Sequence, residues 1–100
     1  MPSVDTEVAH NLPVADAALR VRGLMTRLRA RYDGKITNVD EWWGADRGDF
    51  SFSFSGLRIK GTVDVLPGRV RARVELPLAA LPFRGTIRDA VHDQLAACLR

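Results

Sequence analysis

The chain has 100 residues, 46% hydrophobic and 27% charged, with a formal net charge of +3. That length and composition predict one domain, residues 1–100, with a core of its own, and a single cysteine, Cys98, excludes an internal disulfide and fits a reducing cytoplasm. No apolar run approaches membrane-spanning length, so no membrane insertion is expected, and the modest excess charge argues against a dedicated nucleic-acid binder even though the cations are mostly arginine.

Residues 4–8 alternate apolar side chains with Asp5 and Glu7, the period of a short edge strand. Residues 10–34 switch to a helical period. Pro13 suits the first helical position, Asp16 the positive end and Gly34 the stop. Ala17, Val21, Leu24, Met25, Leu28 and Tyr32 share one face, and Arg20, Arg22, Arg27, Arg29 and Arg31 take the remainder. Gly23 interrupts this pattern at a place suited to close packing. Residues 36–43 read as a second, less regular strand.

The next strands determine their own registers. A two-residue turn at Ser55-Gly56 puts Phe54 opposite Leu57, Phe52 opposite Ile59 and Phe50 opposite Gly61, where the missing side chain leaves room for the ring. A type II turn at Pro67-Gly68 then sets Val65 against Val70, Val63 against Ala72 and Gly61 against Val74. The other face pairs Asp64 with Arg71 and Lys60 with Glu75. A one-residue slip would turn every apolar side chain outward.

Residues 77–85, PLAALPFRG, read as a short irregular or single-turn connection. A C-terminal helix follows, marked by Ile87, Val91, Leu95 and Cys98 or Leu99, with Thr86 as candidate N-cap. The order β-α-β-β-β-β-α predicts an α+β two-layer fold, an antiparallel sheet of about five strands with two helices on one face.

Candidate chemistry is sparse. His10, His92 and Cys98 are dispersed without metal-ligand spacing, so neither metal nor cofactor is expected. His10, at the end of the first strand, suits a turn-holding role better than catalysis, and His92 reads as a solvated helix residue. Asp46 and Asp49 fall in a glycine-containing loop, where acids commonly satisfy turn backbones. No phosphate-cradling glycine motif or nucleophile elbow occurs, and the chain is read as non-enzymatic. Arg58, Lys60, Arg69, Arg71 and Arg73 share one strand face, a candidate polyanion surface. Asp64 and Glu75 in that same register weaken it, as do the aromatics on the opposite side, which cannot stack bases there.

The stretches AHNLPVADA, EWWGADRGDFSF and SGLRIKGTVDVLPGRVRARVELP resemble the bacterial polyhydroxyalkanoic acid system proteins, a small granule-associated family. The matching positions are His10, Leu12, Ala17, Trp42, Gly44, Asp46, Phe50, Gly56 and Gly61. Two departures are Ala45, between Gly44 and Asp46, and a longer Arg47-Gly48-Asp49 bridge before Phe50. The resemblance implies a cytoplasmic accessory protein on storage granules, whose partner is the polyester granule surface or a granule-associated protein. Two alternatives remain: a helix-grip-like carrier of a fatty or hydroxyacyl ligand, and weak polyanion or nucleic-acid binding. Trp42, Trp43, His10 and Asp46 are the candidate partner or ligand contacts. Parity with Val39 places Trp43 inside, whereas the family match favours Trp42 as the structural ring.

Overall fold

A computed structural model describes residues 2–100. Strand β1 (Ser3–Ala9) leads into helices α1 (Val14–Val21) and α2 (Leu24–Arg31), followed by β2 (Ile36–Trp43), β3 (Arg47–Phe54), β4 (Leu57–Leu66) and β5 (Arg69–Glu75). A 3₁₀ helix, Leu78–Phe83, then runs into α3 (Arg84–Leu99). The strands form one antiparallel sheet in the order β1-β5-β4-β3-β2, with β1 and β2 as the two edges.

The hairpin registers follow from the side chains as expected. Phe50 faces Gly61, Phe52 faces Ile59 and Phe54 faces Leu57, while Val63 faces Ala72 and Val65 faces Val70. Ser55 and Gly56 both have positive φ, 49° and 84°, which makes the first turn type I′. In the second turn Gly68 has φ 80° while Pro67 keeps its negative value, the type II arrangement. Parity then divides the sheet. Phe50, Phe52, Ile59, Val63, Val65, Val70, Ala72 and Val74 are buried beneath the helices, and Arg58, Lys60, Arg71, Arg73 and Glu75 are exposed on the opposite face.

The irregularity of β2 has a defined cause. Its register against β3 shifts between Thr37 and Asp40, with Asn38 at φ 52°. This bulge lets buried Ile36 and half-buried Val39 and Trp43 lean to the same side despite an odd spacing between the first two.

The helical layer differs from expectation in three places. The first predicted helix is two, because at Gly23 the backbone bond shortens to Arg20 (N···O 3.2 Å) and the ladder restarts with Arg27 N–H donating to the Gly23 carbonyl. Gly23 is a break rather than a close contact: a Cβ there would lie 3.5 Å from the Arg20 carbonyl, an ordinary distance. Thr86 is not the N-cap. The 3₁₀ helix runs directly into α3, the Arg84 N–H donates to the Leu81 carbonyl, and Phe83 holds the cap position without a side-chain bond.

Between the layers Ala17, Val21, Leu24, Met25 and Leu28 meet Ile87, Val91, Leu95 and Cys98 over the apolar sheet face. Leu99 is half-buried beside them, so Cys98 is the deeper of the two candidates for the stripe. Burying one such leucine or isoleucine contributes roughly 1.5–3 kcal/mol. The apolar space between α2, α3 and the ends of β2 and β3, lined by Leu28, Tyr32, Phe54, Ile87 and Val91, is about 20 Å³. That is room for about one water molecule.

A Cβ at Gly61 would come within 2.3 Å of the Phe50 ring. Gly61→Ala is therefore expected to destabilise the protein by about 1–3 kcal/mol in urea unfolding, as overpacked core positions do. An unchanged midpoint would show that the ring moves aside without cost.

Candidate functional site

One end of the sheet gathers the candidate contacts. The end of β1, the β2–β3 connection at Gly44–Asp46 and the β4–β5 turn lie together, because the His10 N–H donates to the Gly68 carbonyl and the Val65 N–H to the Asp46 carbonyl. His10 is only 8% exposed, and both ring nitrogens are occupied by backbone. Nδ1 accepts from the Leu12 N–H at 3.1 Å, which leaves the proton on Nε2, 2.9 Å from the Leu66 carbonyl it donates to. No carboxylate is among its partners. His10 ties the entrance of α1 to the β4–β5 turn.

Asp46 is exposed, and its carbonyl is the group in use. Asp49 does not lie in a loop as expected. The Arg47-Gly48-Asp49 bridge is the start of β3, where Asp49 stands opposite Trp42 and Gly48 opposite Trp43. The Trp43 ring lies across Gly48, where a Cβ would approach to 2.1 Å, and its Nε1–H donates to Glu41 Oε1 at 2.7 Å. Trp43 is thus the inward ring and packs against the core, whereas Trp42, favoured as structural by the family match, is 60% exposed on the opposite face. Parity with Val39 decides correctly here. The signal in the sequence was a glycine placed to receive Trp43, the same device as Phe50 over Gly61.

Trp42 borders a shallow hollow of about 430 Å³ on the exposed sheet face, lined among others by Asp49, Ser51, Lys60, Thr62, Arg73 and Glu75. The arginines of this face are engaged. Arg58 donates to the Asn38 carbonyl (2.8 Å), Asp40 Oδ2 (3.3 Å) and Ser51 Oγ (2.7 Å), pinning the β2 bulge. Arg73 meets Asp5 at 2.9 Å, Arg69 and Arg71 both meet Glu7 at 3.4 Å, and Arg47 meets Asp64 at 3.7 Å. Asp64 and Glu75 do stand opposite Arg71 and Lys60, but the ion pairs of Arg71 and Arg73 reach sideways to β1 instead. Lys60 forms no ion pair among the described residues.

Two remaining groups are structural in their surroundings. His92 is half-buried rather than solvated, with Nδ1 3.1 Å from Thr6 Oγ1, and joins α3 to β1. Burial pushes the Cys98 thiol up, only partly offset by Arg27, so it stays protonated at neutral pH. Among the described residues no group of three or more His, Cys, Asp or Glu side chains could hold a metal ion. Among the same residues no helix is long and apolar enough to cross a membrane.

The fold is therefore a two-layer α+β one, with three α-helices on one face of a five-stranded antiparallel sheet and the last of them packed against the first strand. Among solved structures it is similar to that of TTHA0849 from Thermus thermophilus, with 15% sequence identity, a TM-score of 0.59, and 98% of this chain and 92% of that chain covered, a likeness of fold alone. No curated protein matches the chain. Residues 4–99 match the family described as "Putative polyhydroxyalkanoic acid system protein", and the chain belongs to that family.

The hydrogen bond from Arg73, together with its charge, holds the Asp5 carboxyl below its ordinary 3.8. A lowered carboxyl contributes stability above its unfolded-state value and loses it as pH falls through the folded value. Asp5→Asn should therefore cost up to about 1 kcal/mol at pH 7 and nothing near pH 2, the size of an exposed ion pair; an equal cost at both pH values would contradict the pairing. In tryptophan fluorescence, iodide should quench Trp43→Phe protein, which retains Trp42, several-fold more than Trp42→Phe protein. Equal quenching would contradict the assignment of inner and outer rings.

Proposed function

We propose that this protein is a non-enzymatic accessory factor of polyhydroxyalkanoate storage, acting by binding the granule surface or a granule protein. Family membership over residues 4–99 supports the connection to polyester storage. The observation that carries the mode of action is the packing of the interior: the apolar space between α2, α3 and the ends of β2 and β3 is about 20 Å³, too little for an acyl chain, which favours binding at the outer surface. The commitment of both His10 nitrogens to backbone partners supports a non-catalytic reading, since a general base needs a free nitrogen within reach of substrate. Binding of a polyanion at the sheet face is less well supported, because a phosphate there would have to compete with Asp5, Glu7, Asp40 and Asp64 for the arginines.

Fractionation of polyester-accumulating cells tests the proposal. Labelled protein is expected to sediment with granules and to be soluble in the same cells grown without accumulation. Protein that stays soluble in granule-rich cells, with no granule-bound partner recovered by pull-down, would refute it.

A further inference from the structure

The two faces of the molecule treat their cations differently. On the sheet, Arg47, Arg58, Arg69, Arg71 and Arg73 each have a carboxylate within ion-pair distance. Between Val14 and Lys35 the chain carries six cations, Arg20, Arg22, Arg27, Arg29, Arg31 and Lys35, against two acids, Asp16 and Asp33. None of the six forms an ion pair among the described residues, and all six are exposed. Arg20 donates to the main-chain oxygen of the last residue, Arg100, while Arg22 rests on the Gly44 carbonyl and Arg31 over the Tyr32 ring, both neutral groups. No aspartate or glutamate side chain lies within ion-pair distance of any of the six among the described residues.

The same layer exposes most of the large apolar side chains that the fold leaves outside. Leu19 on α1 is 62% exposed, and on the 3₁₀ helix Leu78 and Phe83 are 74% and 51% exposed. Ala79 and Pro82 are exposed beside them, and Arg84 follows directly without an ion pair among the described residues. The 3₁₀ helix and the end of α1 lie at opposite ends of α3, since Arg20 reaches Arg100. A helix of 16 residues spans about 24 Å, so Leu19 and the apolar side chains of the 3₁₀ helix lie toward separate ends of the layer. Isolated exposed leucines need no explanation, but Leu78, Ala79, Pro82 and Phe83 within six residues form a patch.

The geometry points to the helical layer as the docking surface, and to an apolar interface coated with anionic lipid as its partner. The unpaired arginines complement anionic headgroups, and the leucine and phenylalanine side chains enter the apolar boundary beneath them. A nucleic acid would use the arginines but leave Leu19, Leu78 and Phe83 without a role. This inference rests on the reading that the protein acts on granules through its surface, and it names which surface and what that surface meets.

Flotation with lipid vesicles at low salt is the test. The protein is expected to float with vesicles containing phosphatidylglycerol and to remain behind with vesicles of phosphatidylcholine alone. Arg29→Glu with Arg31→Glu should weaken partition at least about tenfold, since each basic residue near an anionic surface is worth about 1 kcal/mol. Leu78→Ser with Phe83→Ser should remove the binding that survives raised salt, and Lys60→Glu, on the sheet face, should change nothing. Circular dichroism on each variant confirms the fold. No binding to anionic vesicles, equal loss in Lys60→Glu, or tighter binding to a duplex oligonucleotide than to the vesicles would overturn the inference. In cells the two proposals separate. Granule sedimentation unaffected by the Arg29/Arg31 variant would sink the docking surface while leaving granule association standing. Anionic-vesicle binding with the expected variant losses, from a protein absent from granules, would do the reverse.

Discussion

The ring of Phe50 lying over Gly61 is the contact from which the rest of the structure follows. Only a residue without a Cβ admits that ring between β3 and β4, so the pair permits one register and excludes its neighbours. Once β3 and β4 are aligned, parity sends Phe52, Ile59 and Val63 inward and Ser51, Arg58 and Lys60 outward. The β4–β5 turn transmits the alignment to β5, and β5 places Arg71 and Arg73 beside Glu7 and Asp5 of β1. Trp43 over Gly48 repeats the device at the outer edge, where β2 has slipped at its bulge.

The consequence for function is a division of labour between two faces. The inner face of the sheet is spent on packing the helices: the space between α2, α3 and the ends of β2 and β3 is about 20 Å³, and both nitrogens of His10 are bonded to backbone. The outer face is closed electrostatically, because β1 and the β2 bulge supply carboxylates to nearly every arginine there. Trp42 and Lys60 are the exceptions on that face, whereas the helical layer carries six cations without an acidic side-chain partner among the described residues, together with exposed Leu19, Leu78 and Phe83. That division is what the proposed surface-binding role draws on.

The central part of this architecture was legible in the sequence because several local rules agreed there. Alternation, two turn dipeptides and the Phe50–Gly61 match all required the same registers for β3 to β5. The bulge in β2 was not legible: Asn38 in a left-handed conformation breaks the period without leaving a glycine or proline to announce it. Arg47-Gly48-Asp49 read as a loop because a glycine between charges has loop composition, and its strand character appears only once Trp43 is seen lying on Gly48. The sheet ion pairs escaped for a different reason. They depend on β1 pairing with β5, a contact across most of the chain that no local pattern specifies. For the same reason the helix arginines could not be told apart from those of the sheet, since their distinction is the lack of an acidic side-chain partner among the described residues.

A solid interior is the central claim, and a ligand titration followed by NMR tests it most directly. A medium-chain 3-hydroxy fatty acid, below its critical micelle concentration, would be added to isotope-labelled protein while the side-chain signals of Leu28, Phe54, Ile87 and Val91 are observed. The account predicts no saturable shift at these positions. Saturable shifts confined to them would show that the space between sheet and helices opens to take an acyl chain, and would make the protein a carrier.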